Sequence, residues 1–217
     1  MFLDFYKKTL SFGSKDLKYV ILIFSFFLTF YTFLFIIGIK YYKIPNNFVS
    51  DEVLYVDNVF NLLKGSYQDP LTDRLVAPMH SLYLAPFVFL DLGRRAFIFF
   101  NLIVSCISIC LTYLTSRFYL SKKSSLIISI LYGFYYIKYE MDFTAHTETF
   151  ATFLIIFNFY LITKYRFSSK KIYLFLFGII FGALTLERVI FLYVLLFFLI
   201  LFTIIYIFRK KYLNLFL

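Results

Sequence analysis

Cysteine and histidine are scarce: two of each stand in 217 residues, with no tryptophan at all. Cys106 and Cys110 lie four apart inside an apolar run, so they share a helix face and read as small packing residues, not a redox or metal pair. With no cluster of His and Cys, no structural zinc site is expected. Four prolines and seven glycines leave no low-complexity linker, and no internal repeat of fixed period is present. Acids are the other shortage, 12 against 22 Lys and Arg, for a formal net charge of +10. Such a balance raises nucleic acid as a partner, a point that the distribution of the basic residues decides.

What is abundant is hydrocarbon. The chain holds 33 Phe and 20 Tyr, 62% of its residues are hydrophobic, and the mean hydropathy is +0.82, outside the range of ordinary soluble domains. A helix rises about 1.5 Å per residue and the bilayer core is about 30 Å thick, so roughly 20 apolar residues make a crossing. Apolar runs at 19–39, 96–115, 124–139, 149–163, 172–186 and 189–208 predict six crossings, the third to fifth short at their polar ends and completed by interfacial Tyr and Phe. The first lacks the short core and small-residue cleavage site of a signal peptide. Placing the amino terminus in the cytoplasm gathers Lys7, Lys8, Lys15, Lys18, Arg117, Lys122, Lys123, Lys164, Arg166, Lys170, Lys171, Arg209, Lys210 and Lys211 inside, with only Asp4 and Asp16 of the acids. Lys and Arg in short flanking segments set orientation, so both termini are expected inside and the acidic loops outside. That asymmetry accounts for the positive charge without nucleic acid. The expected fold is all-α: a single polytopic membrane domain over 1–217, in the plasma membrane, with membrane lipids as its surroundings. Gly178 and Gly182, spaced as GxxxG, are expected to pack a neighbouring helix.

The one long polar interruption is the first outer loop, within 40–95. Ser50 as N-cap and Gly65 as stop bracket DEVLYVDNVFNLLK, with an apolar stripe of Val53, Val56, Phe60 and Leu63: an amphipathic helix on the outer face. SLYLAPFVFLDL, broken by Pro86, is too short to span and reads as a re-entrant or interfacial helix. Asp51 and Glu52 stand in a first helical turn, where the dipole favours carboxylates, so a plain helix-start role competes with a chemical one. A second outer loop, YIKYEMDFTAHTETF, brings Glu140, Asp142, His146 and Glu148 to the same side, and Glu187–Arg188 join the last two runs. For Glu187 and Arg188 a solvated hairpin turn is the alternative. Ionisable groups at membrane depth are costly and mark pathways or sites. Two acidic loops and a cation offer a general base or metal ligands beside a phosphate contact.

The stretch SDEVLYVDNVFNLLKGSYQDPLTDRLVAPMHSLYLAPFVFL resembles the first outer loop of the GT-C superfamily of polyprenol-phosphate-sugar-dependent glycosyltransferases. HTETFATFLIIFNFYLI is similar to their acid-headed fourth span, and FGALTLERVIFLYVLLF to a Gly-rich span ending in a basic residue. The aminoarabinose and protein O-mannose transferases are the nearest branches. The resemblance implies Asp51 as general base or metal ligand with Glu52 in support, and a second acidic motif that is either Glu140 with Asp142 or Glu148. It assigns Arg188 and His80 to the donor phosphate, and Asp51, Glu140 and Asp142 to any divalent metal, Mg or Mn. The implied reaction moves a sugar from a lipid-linked donor to a glycan, lipid or protein acceptor on the outer face, with the lipid phosphate leaving. Family members carry further spans, so the resemblance covers an amino-terminal portion, and the expectation is a fragment or truncated remnant that is inactive, or a core active only with a partner subunit supplying the missing helices. The competing reading is a non-catalytic multi-pass protein, an assembly subunit or transporter component. Against it, the acids cluster at outer ends instead of mid-span, and no polar stripe follows any one run.

Overall fold

The computed structural model describes residues 14–49, 51–65 and 78–213. Among them every regular element is helical: α1 Ser14–Tyr41, α2 Asp51–Leu63, α3 Pro78–Phe89, α4 Gly93–Ser116, α5 Lys122–Gly133, α6 Tyr136–Asp142, α7 Glu148–Ser168, α8 Lys171–Glu187 and α9 Ile190–Leu213. Two stretches, Asp16–Tyr41 in α1 and Gly93–Ser116, are long and apolar enough to cross a membrane. The expected third crossing is divided. Its 12-residue α5 rises only about 18 Å before the chain breaks at Phe134 and Tyr135 and resumes as the seven-residue α6.

The break has a physical cause in Lys138 and Asp142, an i,i+4 pair that a continuous span would carry into hydrocarbon. The turn instead swings α6 back onto the bundle. There Lys138 Nζ meets Asp142 Oδ2 at 2.6 Å, hydrogen-bonds Ser105, and lies over the rings of Tyr31 and Tyr132. Gly133 permits the approach that makes this possible: a Cβ there would fall inside the Phe27 ring. Tyr31 Oη donates to the Gly133 carbonyl at 2.7 Å across the same seam.

α4 is the axis of the molecule, packed by α1, α3, α5, α6 and α7. Its partners explain its composition. Leu102, Cys106, Ile109 and Cys110 face Phe27 and Tyr31 of α1, so the two thiols are free, buried packing groups. α1 and α4 run antiparallel and are clamped at one end, where Arg117 Nε donates to Asp16 at 3.1 Å and Tyr113 donates to the same oxygen at 3.2 Å. At the other end Arg94 N–H donates to the Asn46 carbonyl at 2.7 Å, next to Gly93 at φ +72. Basic turns therefore gather at one end and the acidic loops at the other. Large side chains such as Phe26, Phe33, Phe175, Ile179 and Tyr193 are more than half exposed on the flanks, an apolar belt that suits lipid far better than water.

Two local expectations change, and a third falls outside the described residues. Ser50, expected as the N-cap of α2, lies outside the described residues. At the start of α2, Glu52 N–H donates to the Val49 carbonyl at 3.1 Å and Val49 N–H donates to the Glu52 carboxylate at 3.1 Å, the glutamate half of a capping box. The expected apolar stripe of α2 is not its buried face, because Val53, Phe60 and Leu63 are 41%, 45% and 65% exposed. Of the stripe only Val56 turns inward, together with Glu52, Tyr55 and Val59, as the ion pair of Glu52 dictates. Gly178 and Gly182 have nothing within 4 Å of an added Cβ, so they pack no described neighbour.

Candidate functional site

Asp51 and Glu52 are adjacent in sequence but about 100° apart around α2, and the two carboxylates part company. Glu52 is 1% exposed. Arg94 grips it in a fork, Nε to Oε2 at 2.5 Å and Nη2 to Oε1 at 2.8 Å, and the N–H groups of Ala145 and Val49 donate to it at 2.9 and 3.1 Å. Burial opposes its charge, but the Arg94 and backbone hydrogen bonds outweigh that penalty and hold the carboxyl below the usual range. With its oxygens occupied in this way, Glu52 is an anchor. Asp51 points outward, exposed and without a described hydrogen bond or ion pair.

His80 is likewise an anchor and not a surface contact for phosphate. It is fully buried, with Nε2 3.0 Å from the Ala145 carbonyl and Nδ1 2.9 Å from Glu187 Oε1. A carbonyl only accepts, so Nε2 carries a hydrogen and the remaining proton is shared between Nδ1 and Glu187. Burial pushes the Glu187 carboxyl up, His80 opposing it, which fits a pair that keeps this proton. Glu52 and His80 thus hold the two sides of one residue, taking the N–H and the C=O of Ala145 in the loop before α7. Asn101 Nδ2 donates to the neighbouring Thr144 carbonyl at 3.0 Å and accepts from Tyr83 Oη at 2.8 Å. Tyr83 stacks on Phe150 at 4.0 Å.

The second acidic motif also splits. Residues 140 and 142 lie about 200° apart on a helix, so Glu140 is exposed while Asp142 is 2% exposed and turned inward. Asp142 Oδ2 accepts from Lys138 and from Ser105 at 2.6 Å, and Oδ1 accepts from Thr149 at 3.0 Å. Asp51, Glu140 and Asp142 form no group that could hold a metal: no set of three His, Cys, Asp or Glu does so among the described residues. The oxygens of Asp142 are already taken by Lys138, Ser105 and Thr149.

Glu148, first residue of α7, pairs with Arg188, which caps α8. Their side chains are 36% and 39% exposed, and the other carboxylate oxygen, Glu148 Oε2, is buried without a hydrogen-bond partner. Tyr55 of α2 ties this pair to Asp51. Burial pushes its hydroxyl up, Arg188 pulls it down, and Glu148, Glu187 and Asp51 push it up. The Tyr55 ring also stands edge-on to His80 at 4.6 Å. Beside Glu148 a cleft of about 310 Å³ runs between α5, α6 and α7, its wall apolar at Tyr132, Tyr135, Ile137 and Met141 and polar at Lys138 and Asp142.

The residues that sequence reasoning missed are Arg94, Lys138, Asn101, Ser105 and Tyr83. Arg94 is the second residue of α4 and Asn101 the ninth, and the charge at the head of the apolar run and the amide inside it are the available signal.

The geometry defines a class: a helical bundle with two membrane-length helices and, at one end, an open carboxylate–arginine site on a buried polar scaffold. No family model, curated protein or solved structure matches the chain.

Proposed function

We propose that the chain is a membrane glycosyltransferase core that moves a sugar from a polyprenol-phosphate donor to a hydroxyl acceptor on the outer face. One observation supports this above the rest: Asp51 is an exposed, uncommitted carboxylate on the same helix as Tyr55, whose ring packs on His80, the partner of Glu187 next to the half-buried Glu148–Arg188 pair. In this reading Asp51 accepts the proton of the acceptor hydroxyl as it attacks the anomeric carbon. Arg188 takes the charge that develops on the departing lipid phosphate. Exposed ion pairs contribute only about 0–1 kcal/mol, so Arg188 exchanges Glu148 for a phosphate at little cost. The lipid chain runs along the apolar cleft beside Glu148. The proposed topology has six crossings, with α5 a short one completed by its aromatic flanks, both termini cytoplasmic and the site extracytoplasmic in the plasma membrane.

The test is transfer or donor binding by the purified full chain given polyprenyl-phosphate-linked sugars and acceptors. Turnover or binding that disappears in Asp51→Ala at unchanged folding supports the reading. Absence of both in folded wild-type protein overturns it and leaves the non-catalytic membrane subunit.

A further inference from the structure

At the opposite end of the bundle, α1 and α5 run side by side and leave a cavity of about 360 Å³ lined by Lys18, Tyr19, Leu22 and Lys122. Lys122 Nζ lies 5.2 Å over the Tyr19 ring, which fixes the ammonium group at the mouth. Neither lysine has a carboxylate partner among the described residues, and the acid nearest in sequence is engaged: Asp16 accepts from Arg117 and Tyr113. Two uncompensated cations thus converge on one cavity whose other wall is apolar, with Leu22 61% exposed. Position along the helix supplies the remaining constraint. The stretch Asp16–Tyr41 has 26 residues, about 39 Å of helix against a hydrocarbon core of about 30 Å, so its third residue, Lys18, stands at headgroup depth and Leu22 at the start of the acyl layer.

We infer that this α1–α5 cavity binds the phosphodiester headgroup of an anionic membrane lipid, Lys18 and Lys122 contacting the phosphate and Tyr19 and Leu22 the glycerol and first acyl carbons. The shared chemistry with free phosphate is the anion; the lipid is distinguished by the apolar wall. This inference stands apart from the transferase reading, because none of its residues belongs to the acidic end.

Native mass spectrometry of the full chain in neutral detergent, titrated with phosphatidylglycerol, phosphatidylcholine or inorganic phosphate, tests it. One phosphatidylglycerol adduct is expected to saturate first. Basic residues contribute about fivefold each at a lipid surface, so Lys18→Gln with Lys122→Gln weakens that adduct about 25-fold. Lys170→Gln with Lys171→Gln removes the same charge from another basic turn and changes it less than about twofold. Tyr19→Leu, which keeps both lysines, weakens it about three- to fivefold through loss of the ring beneath Lys122. Should the double variant fail to fold, Lys122→Gln alone is read for its about fivefold loss. Equal losses in the two double-lysine variants, equal binding of phosphatidylcholine, or displacement of the lipid by equimolar inorganic phosphate would overturn the inference.

Discussion

Glu52–Arg94 and Glu148–Arg188 are the same two side-chain types in two opposite settings. The first pair is buried, forked and further bonded to two backbone N–H groups, so its charges have nowhere else to go. The second is over a third exposed on both sides, and one oxygen of its carboxylate, itself buried, has no partner to hold it. A buried pair holds segments together because separating it strands a charge; an exposed pair is easily traded for another ligand. The pair whose two members both stand among the sequence candidates, Glu148 and Arg188, is thus the exchangeable one, and the adjacent carboxylates divide the same way.

Glu52→Gln breaks this contrast most severely. It leaves Arg94 without its charge partner and is expected to cost about 3–5 kcal/mol, read as a large fall in thermal midpoint in detergent, whereas Glu148→Gln costs under about 1 kcal/mol. Activity is expected to order the variants in reverse. Asp51→Ala and Arg188→Ala lower transfer by about 100-fold or more at a thermal midpoint close to wild type. If Arg188→Ala unfolds the protein while Glu52→Gln does not, the assignment of the two pairs is inverted.

Acidity sharpens the same comparison by a smaller amount. Glu52 is held below its ordinary 4.5, so its contribution is complete above that pH and is lost as pH falls through the lower folded value. Glu187 is held above 4.5, so its contribution is complete below that pH and is lost as pH rises through the raised value. Stability profiles should lose their acid limb in Glu52→Gln and flatten on the alkaline side of 4.5 in Glu187→Gln.

Glycines give the mildest version of the closed-against-open contrast. Gly133→Ala forces a methyl into the Phe27 ring and is expected to cost about 1–3 kcal/mol. Gly178→Ala and Gly182→Ala meet open space and should stay within about 0.5 kcal/mol of wild type by the same thermal assay.

Much of the architecture is legible in the residues. Run lengths and Lys/Arg placement point to helices with acidic loops at one end, and Cys106 and Cys110 read correctly as packing groups. The stripe of α2 does not, because hydrophobic periodicity ranks Val53 and Phe60 above Glu52, and only Arg94, 42 residues on, turns the helix the other way. The ExD pair misleads for a related reason. Two residues apart is the same side in an extended loop but opposite sides in the helix that Lys138 draws onto the bundle. His80 could not be placed without Glu187, 107 residues distant.

By itself the sequence determined an all-helical chain rich in hydrocarbon, with most of its basic residues expected at one end and most of its acids at the other; these follow from local periodicity and composition, whereas of the six crossings expected only two helices are membrane-length among the described residues. Which carboxylates are spent and which remain open was decided only by the tertiary structure. A side chain's availability depends on partners brought from other helices, and burial makes each such pairing far stronger than any local preference.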